Sequence, residues 1–285
     1  MSFGSSYFTV PKFTHIKPSS IDELLDFLSE HGEEAKVMAG GVGLVAFMKE
    51  RLLRPKYVVS LSGINELKTL ELGDKGLSVG AGVHLSELEN DAIRRAYPTL
   101  YFAVRSIADP IIRNMGTLIG DFLEALPWGD AYPALISLNA RAEILSRKSR
   151  REVSVNGIVT GFGQTAISED EIVTRITVPK EEVEGTYLKF SNASEYGLAT
   201  VALSYYPKKE SFTMVIGSVS ESPVILTEKD VEWKFGEPLE QNARRLISYI
   251  DRNVSPMSDM LSSSEFRKHV VKVIALEAIK EVFKQ

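Results

Sequence analysis

Two adjacent glycines near the start of the chain, Gly40 and Gly41, constrain its fold more than any other feature. Residues 35–39 before them form a short, mostly apolar segment that is typical of a strand. In residues 44–51 after them, the apolar residues recur at helical spacing. Residues 57–59 predict the next strand. Strand, glycine turn, helix and strand together form a βαβ unit, which we predict for this region.

The glycine turn alone leaves two interpretations open. Small residues let backbone N–H groups approach an anion, and the N-terminus of the following helix adds a partial positive charge. A glycine pair between a strand and a helix is, however, more often a plain tight turn. The spacing of these glycines also differs from the GxGxxG dinucleotide fingerprint. An anion site and a structural turn therefore both remain as hypotheses.

The region after the βαβ unit has a mixed α and β pattern. Residues 85–93 and 98–107 have helical periodicity, and residues 116–120 predict a second glycine-bearing loop. The basic residues 147–151 predict the solvated tip of a hairpin. A further strand ends at Pro179.

The composition shifts near residue 180, where an acidic linker precedes three predicted strands and two helical segments. We predict a first domain at residues 1–179, with subdomains at about 1–60 and 61–179. A small α+β domain at residues 180–285 follows it.

Composition and charge exclude several kinds of function. None of the 285 residues is a cysteine, so the chain holds no iron–sulfur cluster or zinc through its own thiolates. The four histidines lack the spacing of metal ligands, and we predict no metal site. The net charge of −5, without a basic block, argues against nucleic acid. No apolar run approaches the roughly 20 residues of a membrane span, and we expect a cytoplasmic protein.

Short motifs along nearly the whole chain share their order and spacing with one known family. They begin with Phe13 and Pro18-Ser19, and the glycine turn follows. The later motifs are LSVGAGV at 77–83, YPTL at 97–100, IRNMGT at 112–117, Pro127 with Asp130, PAL at 133–135, LKF at 188–190, SP at 222–223 and SEFRKH at 264–269. With these motifs the chain resembles the FAD-binding medium subunit of the molybdenum hydroxylases, the family of xanthine dehydrogenase and carbon monoxide dehydrogenase.

The resemblance implies an α+β fold and a set of FAD-binding residues. Its FAD-binding domain has two parts, a βαβ unit and a mixed α/β subdomain like that of the vanillyl-alcohol-oxidase (PCMH-like) flavoproteins, and a small α+β C-terminal domain follows. In this family FAD lies between two loops. The residues that correspond to the first loop are Lys36, Val37, Met38, Ala39, Gly40, Gly41, Val42, Gly43 and Leu44, and those of the second loop are Thr117, Gly120 and Asp121. Asp130 corresponds to a contact with the sugar region of FAD, Val173 and Lys189 to contacts near the isoalloxazine, and Tyr196 to an aromatic wall.

The resemblance also implies a function as an oxidoreductase subunit without catalytic side chains of its own. Substrate is hydroxylated at a molybdopterin centre in a large subunit. Electrons then pass through two [2Fe–2S] clusters in a small subunit to FAD in this chain, and from FAD to an external acceptor. The protein positions the cofactor, and the cofactor carries the redox chemistry. The resemblance thus implies a hetero-oligomer of three kinds of subunit.

Three departures from the family pattern bear on FAD binding. Ile119 replaces a glycine of the second loop, and a β-branched residue is strained at positive φ. This predicts that Ile119→Gly tightens FAD binding, unless Gly43 already relieves the crowding. Val42 and Gly43 replace polar residues of the first loop. Glu124 replaces a small or neutral residue, and a carboxylate near a diphosphate is electrostatically unfavourable.

Two alternatives to the electron-transfer subunit remain open on the sequence. The first is a scaffold subunit that keeps the fold but whose altered loops no longer hold FAD. The second is a stand-alone FAD oxidoreductase of the vanillyl-alcohol-oxidase-like class, against which the absence of an evident substrate site argues.

Overall fold

The structure is a computed structural model that describes residues 9–191 and 196–283. Its first part is the predicted βαβ unit. Ser20 caps the first helix, since its hydroxyl accepts a hydrogen bond from the Glu23 backbone N–H at 3.1 Å. The elements are β1 (Thr14–Ile16), α1 (Ile21–His31), β2 (Ala35–Met38), α2 (Val42–Lys49) and β3 (Tyr57–Ser60). These strands form a parallel sheet in the order β1-β3-β2, which confirms the βαβ prediction.

The second part is an antiparallel five-stranded sheet with helices packed around it. Its strands are β4 (Leu70–Gly73), β5 (Gly76–Gly80), β6 (Arg141–Leu145), β7 (Arg150–Ser154) and β10 (Ile172–Pro179), in the order β4-β5-β10-β6-β7. The small hairpin β8 (Val159–Gly161) and β9 (Gln164–Thr165) lies beside it. The helices are α3 (Asp91–Ala96), α4 (Pro98–Ser106), α5 (Pro110–Met115), α6 (Leu118–Leu123) and α7 (Ala131–Ser137).

Two details of this region differ from the sequence prediction. Residues 85–93 do not form one helix, because the side chain of Asn90 accepts hydrogen bonds from the backbone N–H groups of Ala92 and Ile93 and starts α3 afresh. The basic hairpin tip is not simply solvated. Arg147 forms ion pairs with Asp22 at 2.7 Å and Asp26 at 2.5 Å, which tie the hairpin β6–β7 to α1.

The C-terminal part is a second antiparallel sheet covered by two helices. Its elements are β11 (Glu184–Ser191), β12 (Gly197–Tyr206), β13 (Ser211–Gly217), β14 (Val224–Thr227), α8 (Leu239–Asn253) and α9 (Ser264–Val282). The change of sheet falls between Pro179 and Glu184, near the proposed domain boundary.

The C-terminal sheet has one hydrophobic core on each face. Along β12, Val201 and Leu203 pack into the core beneath α8 and α9, whereas Ala202 and Tyr206 pack into the large core of the first two parts. Alternate residues of a strand point to opposite faces, so one sheet serves both cores. The division at residue 180 therefore stays a proposal about independent folding units, which share a well-packed junction. No helix among residues 9–191 and 196–283 is both long and apolar enough to cross a bilayer.

Candidate functional site

The glycine turn between β2 and α2 depends on both of its glycines. Gly41 is the N-cap of α2 and has a φ of 78°, a left-handed conformation that favours glycine. Gly40 packs against the backbone of Met115 and Gly116. A Cβ atom at Gly40 would lie 2.8 Å from the Gly116 Cα and still closer to the Met115 carbonyl oxygen. The turn therefore brings two backbone segments into contact without an intervening side chain.

The residues around this turn are only partly covered. Lys36 is exposed on β2, and the apolar residues beside the glycines are half-buried, namely Val37, Met38, Ala39, Val42 and Leu44. Met48 is the one residue of α2 that is fully buried. The first turn of this apolar helix is thus accessible at the point where its backbone N–H groups lack intrahelical partners.

The segment predicted as a second glycine loop is a helix. The hydroxyl of Thr117 accepts a hydrogen bond from the backbone N–H of Gly120 at 3.1 Å and caps α6. Ile119 lies in the first turn of α6 with a helical backbone, and its side chain is 3% exposed. The expectation of strain at Ile119 is therefore wrong, because the position never requires positive φ.

The structure brings the glycine turn and α6 together. Gly40 contacts the residues directly before α6, and Gly43 contacts Glu124, directly after it. The carboxylate of Glu124 fills the space that a Cβ of Gly43 would occupy. Gly43 therefore accommodates Glu124 and does not relieve crowding by Ile119, as the sequence had suggested.

The side chain that caps α7 belongs to Asp121 and not to Asp130, the residue directly before the helix. Asp130 precedes α7 but makes no capping hydrogen bond with its side chain. Asp121 supplies one instead, since its carboxylate accepts from the backbone N–H of Ala131 at 3.1 Å. Burial raises the pKa of Asp121 to about 7, and the nearby charges of Asp130 and Glu124 act in the same direction.

Asp130 instead links the two halves of the chain. Its two carboxylate oxygens accept hydrogen bonds from the Tyr187 hydroxyl at 2.6 Å and from the Lys189 ammonium at 2.7 Å, both on β11. Lys189 also donates to the backbone carbonyl of Ser106 at 3.2 Å. Burial raises the pKa of Asp130, and the interactions with Lys189 and Tyr187 oppose that rise. Tyr187 is a member of this network that the sequence analysis missed.

The remaining predicted contacts lie in different environments. Val173 is 2% exposed and belongs to the main hydrophobic core on β10. Tyr196 is half-exposed, and its ring makes an edge-on contact with Trp128 at 5.3 Å between centroids. Trp128 makes a similar contact with the exposed Phe162 at 5.6 Å. Sequence reasoning missed Trp128 and Phe162, which lie 34 positions apart in the chain and form this aromatic group only in three dimensions.

Comparison with known proteins identifies the chain. A family model described as the FAD binding domain in molybdopterin dehydrogenase matches residues 11–181. The glyceraldehyde dehydrogenase medium chain of Sulfolobus acidocaldarius is 32% identical, with 95% of this chain and 99% of that protein covered. The xanthine dehydrogenase FAD-binding subunit of Escherichia coli O157:H7 is 24% identical, with 93% of this chain and 94% of that protein covered.

A solved structure supports the same conclusion. A chain of the reconstituted CO dehydrogenase from Oligotropha carboxidovorans superposes with a TM-score of 0.89 at 25% identity, with 96% of this chain and 99% of that chain covered. The fold and the family match together define an FAD-binding oxidoreductase subunit. The chain belongs to the molybdenum hydroxylase family, as an FAD-binding medium subunit.

Proposed function

We propose that this chain holds FAD with the diphosphate at the glycine turn and passes electrons from iron–sulfur clusters of a partner subunit to an external acceptor. The observation that carries the proposal is the contact between Gly40 and the backbone of Met115 and Gly116. It places two backbone segments side by side at an accessible helix N-terminus, where N–H groups bind phosphate well.

The residues present fit an FAD diphosphate at this place. The left-handed Gly41 is the N-cap of α2, and the backbone N–H groups in the first turn of a helix point toward its N-terminal end. In this proposal the amides of residues 36–44 cradle the diphosphate, and Thr117, Gly120 and Asp121 form the opposite wall. Glu124 has to adjust, because its carboxylate already lies against Gly43.

The same proposal assigns the flavin end of the cofactor to the junction with the C-terminal sheet. Asp130 and Lys189 are the buried polar pair there, and Tyr196 offers a half-exposed ring beside Trp128. Val173 is buried in the main hydrophobic core, and in this proposal it contributes to the apolar wall beside the isoalloxazine. When FAD is bound, its isoalloxazine ring supplies the redox chemistry, and the protein side chains position it and exclude water.

The proposed partners are a small [2Fe–2S] subunit and a large molybdopterin subunit in one cytoplasmic hetero-oligomer. Relatives that match over nearly their whole length are named as medium chains or subunits, which implies companion chains in those enzymes. This chain has no cysteine, so the clusters that feed FAD have to be held elsewhere.

A flavin titration of the purified chain tests the proposal. We expect quenching of FAD fluorescence on binding and, after removal of free FAD, absorbance bands at about 370 and 450 nm. Copurification with chains that contain iron and molybdenum is expected in the complete complex. A chain that retains no flavin after incubation with FAD would support the scaffold alternative, and flavin reduction by a substrate without partner chains would support a stand-alone oxidoreductase.

A further inference from the structure

Packing between two helices does not by itself require the contact between the Glu124 carboxylate and Gly43. Gly43 is the second residue of α2, and its φ is not positive, so any L-residue would be tolerated there by the backbone. The atoms nearest to an added Cβ at this position are those of the Glu124 carboxylate, which would conflict with a side chain there. Glycine at residue 43 thus leaves room for one specific occupant, a carboxylate at the first turn of α2.

The carboxylate lies where the helix attracts negative charge. Hydrogen bonding from the Gly43 backbone amide lowers the pKa of Glu124, whereas burial raises it more strongly, so the net pKa is above the usual value. An anionic group at the first turn of a helix is stabilised by the N–H groups that lack intrahelical partners. The internal carboxylate and an external phosphate therefore compete for the same kind of interaction.

We propose that Glu124 is an internal competitor for the FAD diphosphate, so that FAD binds with protonation of this carboxylate. The inference rests on the proposed position of the diphosphate and adds a regulatory property to it. FAD affinity becomes coupled to the uptake of a proton, which the binding of a diphosphate to backbone amides alone does not require.

Several ionisable groups surround the turn and bear on the pH dependence. Asp121, one turn earlier on α6, couples electrostatically to Glu124. Asp130 and Lys189 couple to Asp121 in turn. His84 bonds the Met115 carbonyl through Nδ1 at 3.0 Å beside Gly40, and Lys36 lies on β2. In α2 itself the only charged residue is Lys49, at the far end.

The direction of the coupling follows from charge. The FAD diphosphate stays anionic over the working range, so its presence raises the pKa of Glu124 further in the complex. Affinity is therefore highest at low pH, falls as pH rises between the pKa of Glu124 in the free chain and that in the complex, and levels off above the latter. The slope within this window approaches a tenfold loss of affinity per pH unit.

FAD titrations from about pH 5 to pH 8 with matched variants test the proposal. At about pH 8 we expect Glu124→Gln to bind FAD about tenfold more tightly than the wild type. The difference in affinity between the two proteins should narrow as the pH falls toward about pH 5. Glu50→Gln removes the same charge from the opposite end of α2 and should match the wild type. Because Asp121 borders the proposed site and its pKa is raised to about 7, the comparison is repeated in the Asp121→Asn background, where Glu124→Gln should still flatten the slope. A slope that Glu124→Gln leaves unchanged in both backgrounds would overturn the proposal.

A measurement without FAD separates this inference from the proposed function. In the chain labelled with ¹⁵N-glycine, the Gly43 amide resonance, assigned by its loss in Gly43→Ala, should move as Glu124 titrates and stay fixed in Glu124→Gln. If the resonance moves but neither the wild type nor Glu124→Gln binds FAD at any pH, the proposed function fails, and the proposed competition fails with it. If FAD binds to both proteins with equal affinity at every pH, the competition alone is refuted.

Discussion

The glycine turn and α6 form two sides of the proposed diphosphate site, and they are built in opposite ways. The turn depends on what its residues lack, because Gly41 is left-handed and Gly40 has no room for a side chain. Helix α6 depends on what its residues contribute, a hydroxyl cap from Thr117 and buried side chains that include Ile119. Similar substitutions in the two segments should therefore change stability and FAD binding for different physical reasons and by different amounts.

The largest effect is expected where α6 contributes to the core. Ile119→Gly removes a side chain that is 3% exposed and places glycine in a helix. We expect the free energy of unfolding to fall by about 4 kcal/mol, since burial loss and helix propensity act together. Chemical denaturation measures it, and Ile119→Val, which keeps most of the volume, should lose only about 1 kcal/mol. Tighter FAD binding by Ile119→Gly without loss of stability would restore the loop interpretation.

The next effect concerns the link from the α6 side of the site to the C-terminal sheet. Among the described residues, Lys189→Met leaves the buried Asp130 with only the Tyr187 hydroxyl as a hydrogen-bond partner. We expect a loss of about 3 kcal/mol in the free energy of unfolding, because an uncompensated buried charge is costly. Lys180→Met removes an exposed ion pair with Asp74 and serves as the control. It should cost less than about 1 kcal/mol, and equal losses in the two variants would argue against a structural role for the buried pair.

The turn was predicted correctly from the sequence and helix α6 was not, for identifiable reasons. Gly40 and Gly41 follow an apolar strand and precede an apolar helix, and such punctuation is a local signal. For α6 a local signal also exists, since Leu118, Ile119 and Phe122 have helical spacing after a threonine, which predicts a capped helix. Gly116 and Gly120, together with the glycine loop of the family, outweighed this signal, and the error at Ile119 followed.

Other features of the site were beyond local sequence patterns. The network of Asp130 with Tyr187 and Lys189 joins residues that are 57 and 59 positions apart in the chain. Helix and strand periodicity cannot predict a contact between residues so far apart in the chain. The family resemblance predicted roles for Asp130 and Lys189 but did not predict that they form a pair. The fit between Glu124 and Gly43 is of the same kind, because each departure was visible in the sequence while their contact was not.

Asp121, on α6, is expected to make the stability of the protein depend on pH. Burial raises its pKa to about 7 in the folded chain, whereas the unfolded chain releases this proton near pH 4. The folded state therefore holds the extra proton between these values, and the free energy of unfolding falls as pH rises from about 4 to about 7. Asp121→Asn keeps an acceptor for the Ala131 N–H and should remove this loss.

Two factors set how much stability is lost when Asp121 ionises: the rise of its pKa on folding and the rearrangement of the structure around the charged carboxylate. A pKa rise of this extent corresponds to about 4 kcal/mol, and rearrangement around the charged carboxylate is expected to reduce it to about 2 kcal/mol. Denaturation of both proteins at about pH 5 and pH 8 measures it. A difference between wild type and Asp121→Asn that stays the same at both pH values would mean that Asp121 is ionised throughout.

The smallest effect on stability, and the sharpest test of the turn, is expected from Gly41→Ala. The φ of 78° at Gly41 costs an alanine about 1 kcal/mol, because its Cβ crowds the backbone in the left-handed region. Gly73→Ala is the matched control, since Gly73 has no positive φ and no atom of residues 9–191 or 196–283 lies within 4 Å of an added Cβ. We expect Gly41→Ala to remain folded and yet to lose most of its FAD affinity, because relief of the strain rotates the amides at the start of α2 away from the diphosphate. Gly73→Ala should keep both stability and affinity. An alanine at residue 41 that costs stability and leaves FAD binding unchanged would mean that the turn is only a structural connection between β2 and α2, and that the diphosphate binds elsewhere along α6.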